Sequence, residues 1–155
     1  MKALRSAVLA AGGSIAAAAI GGIGSRRAPE IYGRLEKPAW APPPAVFGPV
    51  WTGLYTAMGV AAYRLARRSA RTTLRLHAAQ LVLNAAWPVA FFSARDKRVS
   101  LGLILGLDAL VAVEIASAVR RDAVAAELLA PYLAWCLFAT ALNAAVSDPG
   151  RARTE

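Results

Sequence analysis

The chain has 155 residues, 57% of them hydrophobic and 17% charged, with a formal net charge of +9 and one cysteine. A single cysteine excludes an internal disulfide and any multi-cysteine metal site. The positive charge comes without zinc-finger spacing, a nucleic-acid module or a long basic tail. It sits in loops between apolar runs, where anionic lipid headgroups account for it, and no nucleic-acid partner is expected.

The apolar runs predict an all-α membrane protein, a five-transmembrane-helix bundle forming one domain over 1–155. Residues 7–24, 46–63 and 128–147 carry no charge, 76–94 holds only His77, and 99–119 holds only Asp108 and Glu114. A span across lipid needs about 20 mostly apolar residues, because only a closed helix satisfies its own backbone there. A soluble bundle would need polar outer faces that these segments lack.

The first predicted helix covers about 5–24. Its glycines, Gly12, Gly13, Gly21 and Gly22, suit close packing against a neighbour. Lys2, Arg5 and the small residues near 21–25 also fit a secretory signal, whose removal would leave four spans beginning near Ser25. The run is long for a signal core, which favours five spans.

Loop 1, about 25–45, is the longest connection. Pro38, Pro42, Pro43 and Pro44 fix φ and push the residues before them towards extended geometry. The segment is a stiff strap. It is either a capped loop anchored by an interfacial Trp40 or a preorganised lid over a ligand cavity, and rigidity lowers the entropy cost of the second role.

Helix 2, about 46–66, tolerates Pro49 in its first turns. Phe47, Trp51 and Tyr55 recur at spacing four and share a face, serving packing or a cavity wall. The basic cluster Arg64, Arg67, Arg68, Arg71 and Arg75 follows. Helix 3, about 72–93, puts Gln80, Asn84, Trp87 and Phe91 on one face. Amides in lipid act as interhelical glue or orient a ligand on an apolar wall. Pro88 is expected to bend the helix. His77, the lone histidine, is read as a surface group near an interface rather than an iron ligand.

Helix 4, about 99–119, holds Asp108 and Glu114. The pair differs by about 600° of rotation, so it is no paired-carboxylate site. Asp108 is expected to pair within the bundle or a dimer, and Glu114 to snorkel. Helix 5, about 123–146, tolerates Pro131 early and repeats Trp135, Ala139 and Asn143 at spacing four. That order suits a tight crossing or a narrow ligand slot. Cys136 points elsewhere and packs. The 18 Lys and Arg residues divide equally between the two sides of such a bundle, so orientation stays unassigned. No catalytic residue and no metal site emerges. Together the faces and the strap suggest a ring-lined pocket for a flat hydrophobic ligand.

Three motifs occur in order: YGRLEKPAWAPPPAVFGPVWTGLY at 32–55, QLVLNAAWPVAFF at 80–92 and PYLAWCLFATALN at 131–143. With the apolar runs they resemble the TspO/MBR family over residues 7–146, the tryptophan-rich sensory proteins related to the mitochondrial translocator protein. The resemblance implies a five-helix membrane bundle, commonly a homodimer, that binds porphyrins such as protoporphyrin IX. Many members also bind sterols or isoquinoline and benzodiazepine compounds. It implies that Trp51, Asn84 and Trp135 lie on the pocket wall. Trp40, Pro42, Pro43 and Pro44 would close over it, and Tyr55, Trp87, Ala139 and Asn143 would line or shape it.

The function this implies is a membrane receptor or sensor for porphyrin, with porphyrin as ligand and no obligatory cofactor, regulating tetrapyrrole or stress responses. The alternatives are a transporter of tetrapyrrole or lipid and a light- or oxygen-dependent porphyrin-degrading enzyme. Ile31 departs from the family, where many members have tryptophan. No tyrosine follows Tyr132, so the sterol-recognition pattern of the mammalian relatives is absent and sterol becomes a weak candidate. The Ala- and Arg-rich composition, without a mitochondrial-style extension, points to a bacterial membrane, inner or outer.

Overall fold

The computed structural model describes residues 12–20, 22–23 and 25–147. Lys2 and Arg5, on which the signal-peptide alternative rests, lie outside the described residues, as do Arg151 and Arg153 of the tail.

Six helices make up the described chain: α1 (12–20 and 22–23), α2 (Ala28–Arg34), α3 (Phe47–Arg67), α4 (Arg71–Pro88), α5 (Lys97–Val119) and α6 (Ala123–Ala145). A 3₁₀ turn, Pro44–Val46, leads into α3, and a π turn, Val89–Ser93, follows α4. The expected unstructured loop over 25–45 therefore contains a helix. Pro29 opens it, at a position where a missing N–H costs nothing, and Lys37 closes it by donating Nζ to the Tyr32 and Leu35 carbonyls at 2.6 and 2.8 Å.

Polarity is inverted relative to a water-soluble bundle. Gln80 and Glu114 are fully buried, and His77, Asn84 and Asn143 nearly so, whereas Val60, Val82, Leu105, Val113 and Leu137 stand exposed. Water would penalise both halves of that arrangement; lipid favours it. Among the described residues, three helical stretches are long and apolar enough to cross a membrane: Pro44–Arg67, Lys97–Val119 and Ala123–Ala145. The apolar core joins Met58 and Leu65 of α3, Val111 of α5, and Leu129 and Tyr132 of α6. α5 packs most extensively on α6, then on α4, while α3 leans on α6.

Local chemistry sets the helix ends. Asp96 caps α5 by accepting the Arg98 and Val99 N–H groups, each at 3.0 Å. Asp122 caps α6 through the Ala125 N–H at 3.1 Å and also receives Arg64 at 3.0 Å and Arg68 at 3.5 Å. One carboxylate thus ties the end of α3 to the start of α6. Between α3 and α4, Ser69 sits at φ 54°. Ala70 N–H reaches the Leu65 carbonyl and Ser69 N–H the Ala66 carbonyl. That is the Schellman pattern, with serine at the position glycine normally takes.

The expected third helix over 72–93 changes character at Pro88. Proline supplies no N–H for the carbonyl four residues earlier. The chain answers by widening: Ala94 N–H bonds the Val89 carbonyl five residues back at 2.9 Å.

Two expectations about charged groups fail. His77 is buried, not superficial: its Nδ1 lies 2.7 Å from Glu114 Oε1 and its Nε2 lies 3.3 Å from Ser14 Oγ. Glu114 does not snorkel; with 0% exposure it spends its reach on this contact. Lipid offers neither group a partner, so they find each other across α4 and α5. Asp108, 9% exposed, accepts a hydrogen bond from Thr140 Oγ1 at 2.7 Å, a pairing within the bundle. Cys136 is buried and packs.

Candidate functional site

A cavity of ≈ 460 Å³ lies among α1, α2, α3, α4 and α6, beneath the start of α3. The spacing-four face of α3 supplies Phe47, Trp51 and Tyr55 to it. α4 supplies Asn84, Trp87 and Pro88; α6 supplies Trp135 and Ala139; and Pro44 comes from the end of loop 1. The remaining expected site residues stand elsewhere. Trp40, Pro42, Pro43, Phe91 and Asn143 are not on the lining.

Those five have other work. Trp40 is half exposed and meets Phe138 edge to face at 5.8 Å, outside the cavity. Pro42 offers its carbonyl to the Tyr32 hydroxyl at 2.9 Å. Pro43 precedes the 3₁₀ turn and donates nothing. Phe91 stacks on Trp87 at 5.1 Å, and the π turn brings Phe92 to the lining instead. Asn143 accepts the Trp87 indole N–H at 3.0 Å, fixing that ring from behind.

The rings pack in small groups. Trp51 lies 5.3 Å from Tyr55 and 6.3 Å from Tyr132, and Phe47 meets Trp135 edge to face at 5.8 Å. Each ring is held by another at distances that favour offset or perpendicular contact. Ala139, one turn beyond Trp135, leaves the gap that an aromatic ligand edge could fill.

Polar groups are few and ordered. Tyr55 donates to Asn84 Oδ1 at 2.5 Å, Asn84 Nδ2 donates to the Tyr132 oxygen at 2.9 Å, and Tyr132 donates to Gln80 Oε1 at 3.0 Å. No hydrogen bond from Trp51 or Trp135 Nε1 occurs among the described residues. The wall therefore combines large π faces with a short amide–phenol edge, suited to a flat, mostly apolar ligand.

Loop 1 is strapped over this wall at three points. Tyr32 holds Pro42. Glu36 and Ser147 exchange backbone bonds at 3.0 and 3.1 Å, with Ser147 Oγ donating to Glu36 Oε2 at 3.0 Å. Trp40 rests on Phe138.

Sequence reasoning missed the α2 contribution to the lining, Ala28, Pro29 and Tyr32, and the fully buried Tyr132 that backs the wall through Asn84. Tyr132 carried a usable signal: it lies three residues before Trp135, on the same side of a helix. Tyr32 had none beyond its place ahead of the prolines.

The sequence profile of the TspO/MBR family matches residues 7–147. A human protein named translocator protein is 41% identical over 118 residues, covering 72% of this chain and 70% of that one. A tryptophan-rich sensory protein from Cereibacter sphaeroides is 36% identical over 115 residues, covering 74% and 73%. The tryptophan-rich protein TspO of Archaeoglobus fulgidus is 37% identical over 118 residues, covering 74% and 76%.

Proposed function

Because this chain belongs to the TspO/MBR family, we propose that it is a membrane receptor or sensor that takes a planar tetrapyrrole, of the protoporphyrin IX type, into the cavity under loop 1. Occupancy would shift loop 1 or the subunit contact and so signal to tetrapyrrole or stress responses. The reading rests on one observation: Trp51, Trp87, Trp135 and Tyr55 converge on a single ≈ 460 Å³ cavity with only a short polar edge. The name of the Cereibacter sphaeroides relative, a tryptophan-rich sensory protein, agrees with it.

The same proposal includes a five-span, multi-pass bundle in a bacterial membrane, working as a homodimer. α1 and α4 join the three apolar stretches as spans. The buried polar face of α4 is turned inward, which lets a helix with Gln80 and Asn84 sit in lipid. Isoquinoline or benzodiazepine compounds are secondary ligand candidates for the same wall, and sterol a weaker one.

The test is a titration of purified, detergent-solubilised protein with protoporphyrin IX, followed by tryptophan fluorescence. A non-binding membrane protein corrects for inner-filter loss. Saturation near one ligand per chain is expected, with affinity about threefold to tenfold weaker in Trp51→Phe and Trp135→Phe. Quenching that never saturates and equals the control would sink the tetrapyrrole reading.

A further inference from the structure

Behind the cavity wall lies a residue that no ligand in that cavity would touch. Gln80 has 0% exposure, yet it ends the chain of hydrogen bonds that starts at Tyr55. We propose that Gln80 is a positioning residue that makes Tyr55 a hydrogen-bond acceptor at the cavity wall, so that the site selects planar ligands carrying an N–H or O–H donor at that edge. The inference deepens the cavity reading above and rests on it.

The argument is one of proton counting. A phenol has one hydrogen to donate. Tyr132 gives its hydrogen to Gln80 Oε1 at 3.0 Å. The Tyr132 oxygen is then free to accept, and Asn84 Nδ2 fills it at 2.9 Å. With its amide nitrogen facing Tyr132, Asn84 presents Oδ1 to Tyr55, which donates at 2.5 Å. Tyr55 has spent its only hydrogen on the protein. What it retains for a cavity ligand is lone pairs.

Every link could run the other way if Gln80 turned its amide over. Nε2 would donate to Tyr132, Tyr132 to Asn84, Asn84 to Tyr55, and the Tyr55 hydrogen would be released to the cavity. The far side of Gln80 opposes this. Its Nε2 lies 3.4 Å from His77 Nδ1, but with the Nδ1 hydrogen directed at Glu114 Oε1, 2.7 Å away, that nitrogen does not accept from Gln80. The acceptor in need of a donor is on Glu114. Glu114 Oε2 is buried with no partner among the described residues. This neighbourhood already has more acceptor capacity than donors. Turning Gln80 would swap an N–H₂ for another carbonyl there, in a setting where an unmatched polar group is expensive. The donor end of Gln80 therefore faces the His77–Glu114 pair, and that choice is passed through Tyr132 and Asn84 to the cavity.

The experiment uses two planar tricycles of one outline, carbazole, with an N–H, and dibenzofuran, without it. Their binding to the full-length protein in detergent is measured for wild type, Gln80→Met and Gln80→Glu. Wild type is expected to bind carbazole about threefold to tenfold more tightly. Gln80→Met, which keeps the length but offers Tyr132 no good acceptor, should lose the preference. Gln80→Glu, which still offers Tyr132 an oxygen, should keep it. An unchanged preference in folded Gln80→Met overturns the proposal.

A second readout needs no ligand. The phenol C–O stretching band differs between a donating and an accepting tyrosine, and the infrared difference between each protein and its Tyr55→Phe counterpart isolates it. The band should shift in Gln80→Met and stay in Gln80→Glu. If neither tricycle binds, or if Gln80→Met does not fold and Tyr132→Phe replaces it, this band decides. An unshifted band overturns the polarity argument even where protoporphyrin IX binds. A shifted band upholds it even where protoporphyrin IX does not.

Discussion

The Trp87 indole donates its N–H to Asn143 Oδ1 at 3.0 Å, so one ring of the cavity is oriented by an amide on α6 that the cavity never exposes. Asn143 is 1% exposed and its Nδ2 has no partner among the described residues. Asn143→Leu orphans the half-buried indole N–H. The expected loss is about 1–3 kcal/mol in thermal unfolding, with weaker protoporphyrin IX binding because Trp87 is free to turn. Unchanged binding would mean that Phe91, stacked on Trp87, holds the ring by itself.

Acid should weaken the tie between α3 and α6. Burial pushes the Asp122 carboxyl up, but Arg64, the Ala125 N–H and Arg68 together outweigh it and hold it below the ordinary carboxylate value. A carboxyl depressed in the folded state contributes stability that is present above its unfolded value of about 3.9. That contribution is lost as pH falls through the lower, folded value. Unfolding midpoints by circular dichroism should fall below about pH 4 in wild type. Asp122→Asn should show a flatter acid limb and a lower midpoint at neutral pH.

Tyr32→Phe removes the hydroxyl that grips the Pro42 carbonyl but leaves the ring against Phe47. A cost of about 1 kcal/mol is expected. Its effect should be local. Amide hydrogen exchange should quicken over residues 36–47 and stay unchanged in α5 and α6.

Glu114→Ala strips His77 of its close partner inside the bundle. The penalty should be about 3 kcal/mol. Glu114→Gln keeps an oxygen for His77 Nδ1 and should cost less. Equal losses in chemical denaturation would show that volume, not the hydrogen bond, matters at this position.

Ser69→Gly should stabilise the protein by about 1 kcal/mol. At φ 54° serine carries a Cβ penalty that glycine lacks, and its backbone bonds in the Schellman turn stay the same. A fall in the unfolding midpoint would mean that the serine side chain contributes more than its backbone costs.

Much of the site was legible because helical periodicity translates directly into shared faces. Phe47, Trp51 and Tyr55 at spacing four, or Trp135 and Ala139, reach one cavity whatever the details of packing. The same logic misled at Phe91. It assumed that α-helical geometry continued past Pro88, and the π turn broke the count. Asn143 shares the Trp135 face in projection but lies two turns deeper, where it supports rather than lines. His77 and Glu114 were misread for a different reason. Each was judged alone, from its distance to a helix end, and their pairing across 37 positions leaves no mark in either local segment. Trp40 does belong to the strap, on Phe138 rather than on the lining, and side-chain direction in an irregular strap has no periodicity to read.

The π turn has a further consequence. It acts as a phase shifter between two parts of one rod. An α-helix advances about 100° per residue, and the wider turn at Val89–Ser93 advances less. Phe92 reaches the cavity because of that lag. Removing one residue from 89–93 would let the rod close into regular α-helix, with its length almost unchanged and its aromatic face re-aimed. In this stretch the angular bookkeeping of the chain, more than the identity of any single side chain, decides which phenylalanine a ligand meets.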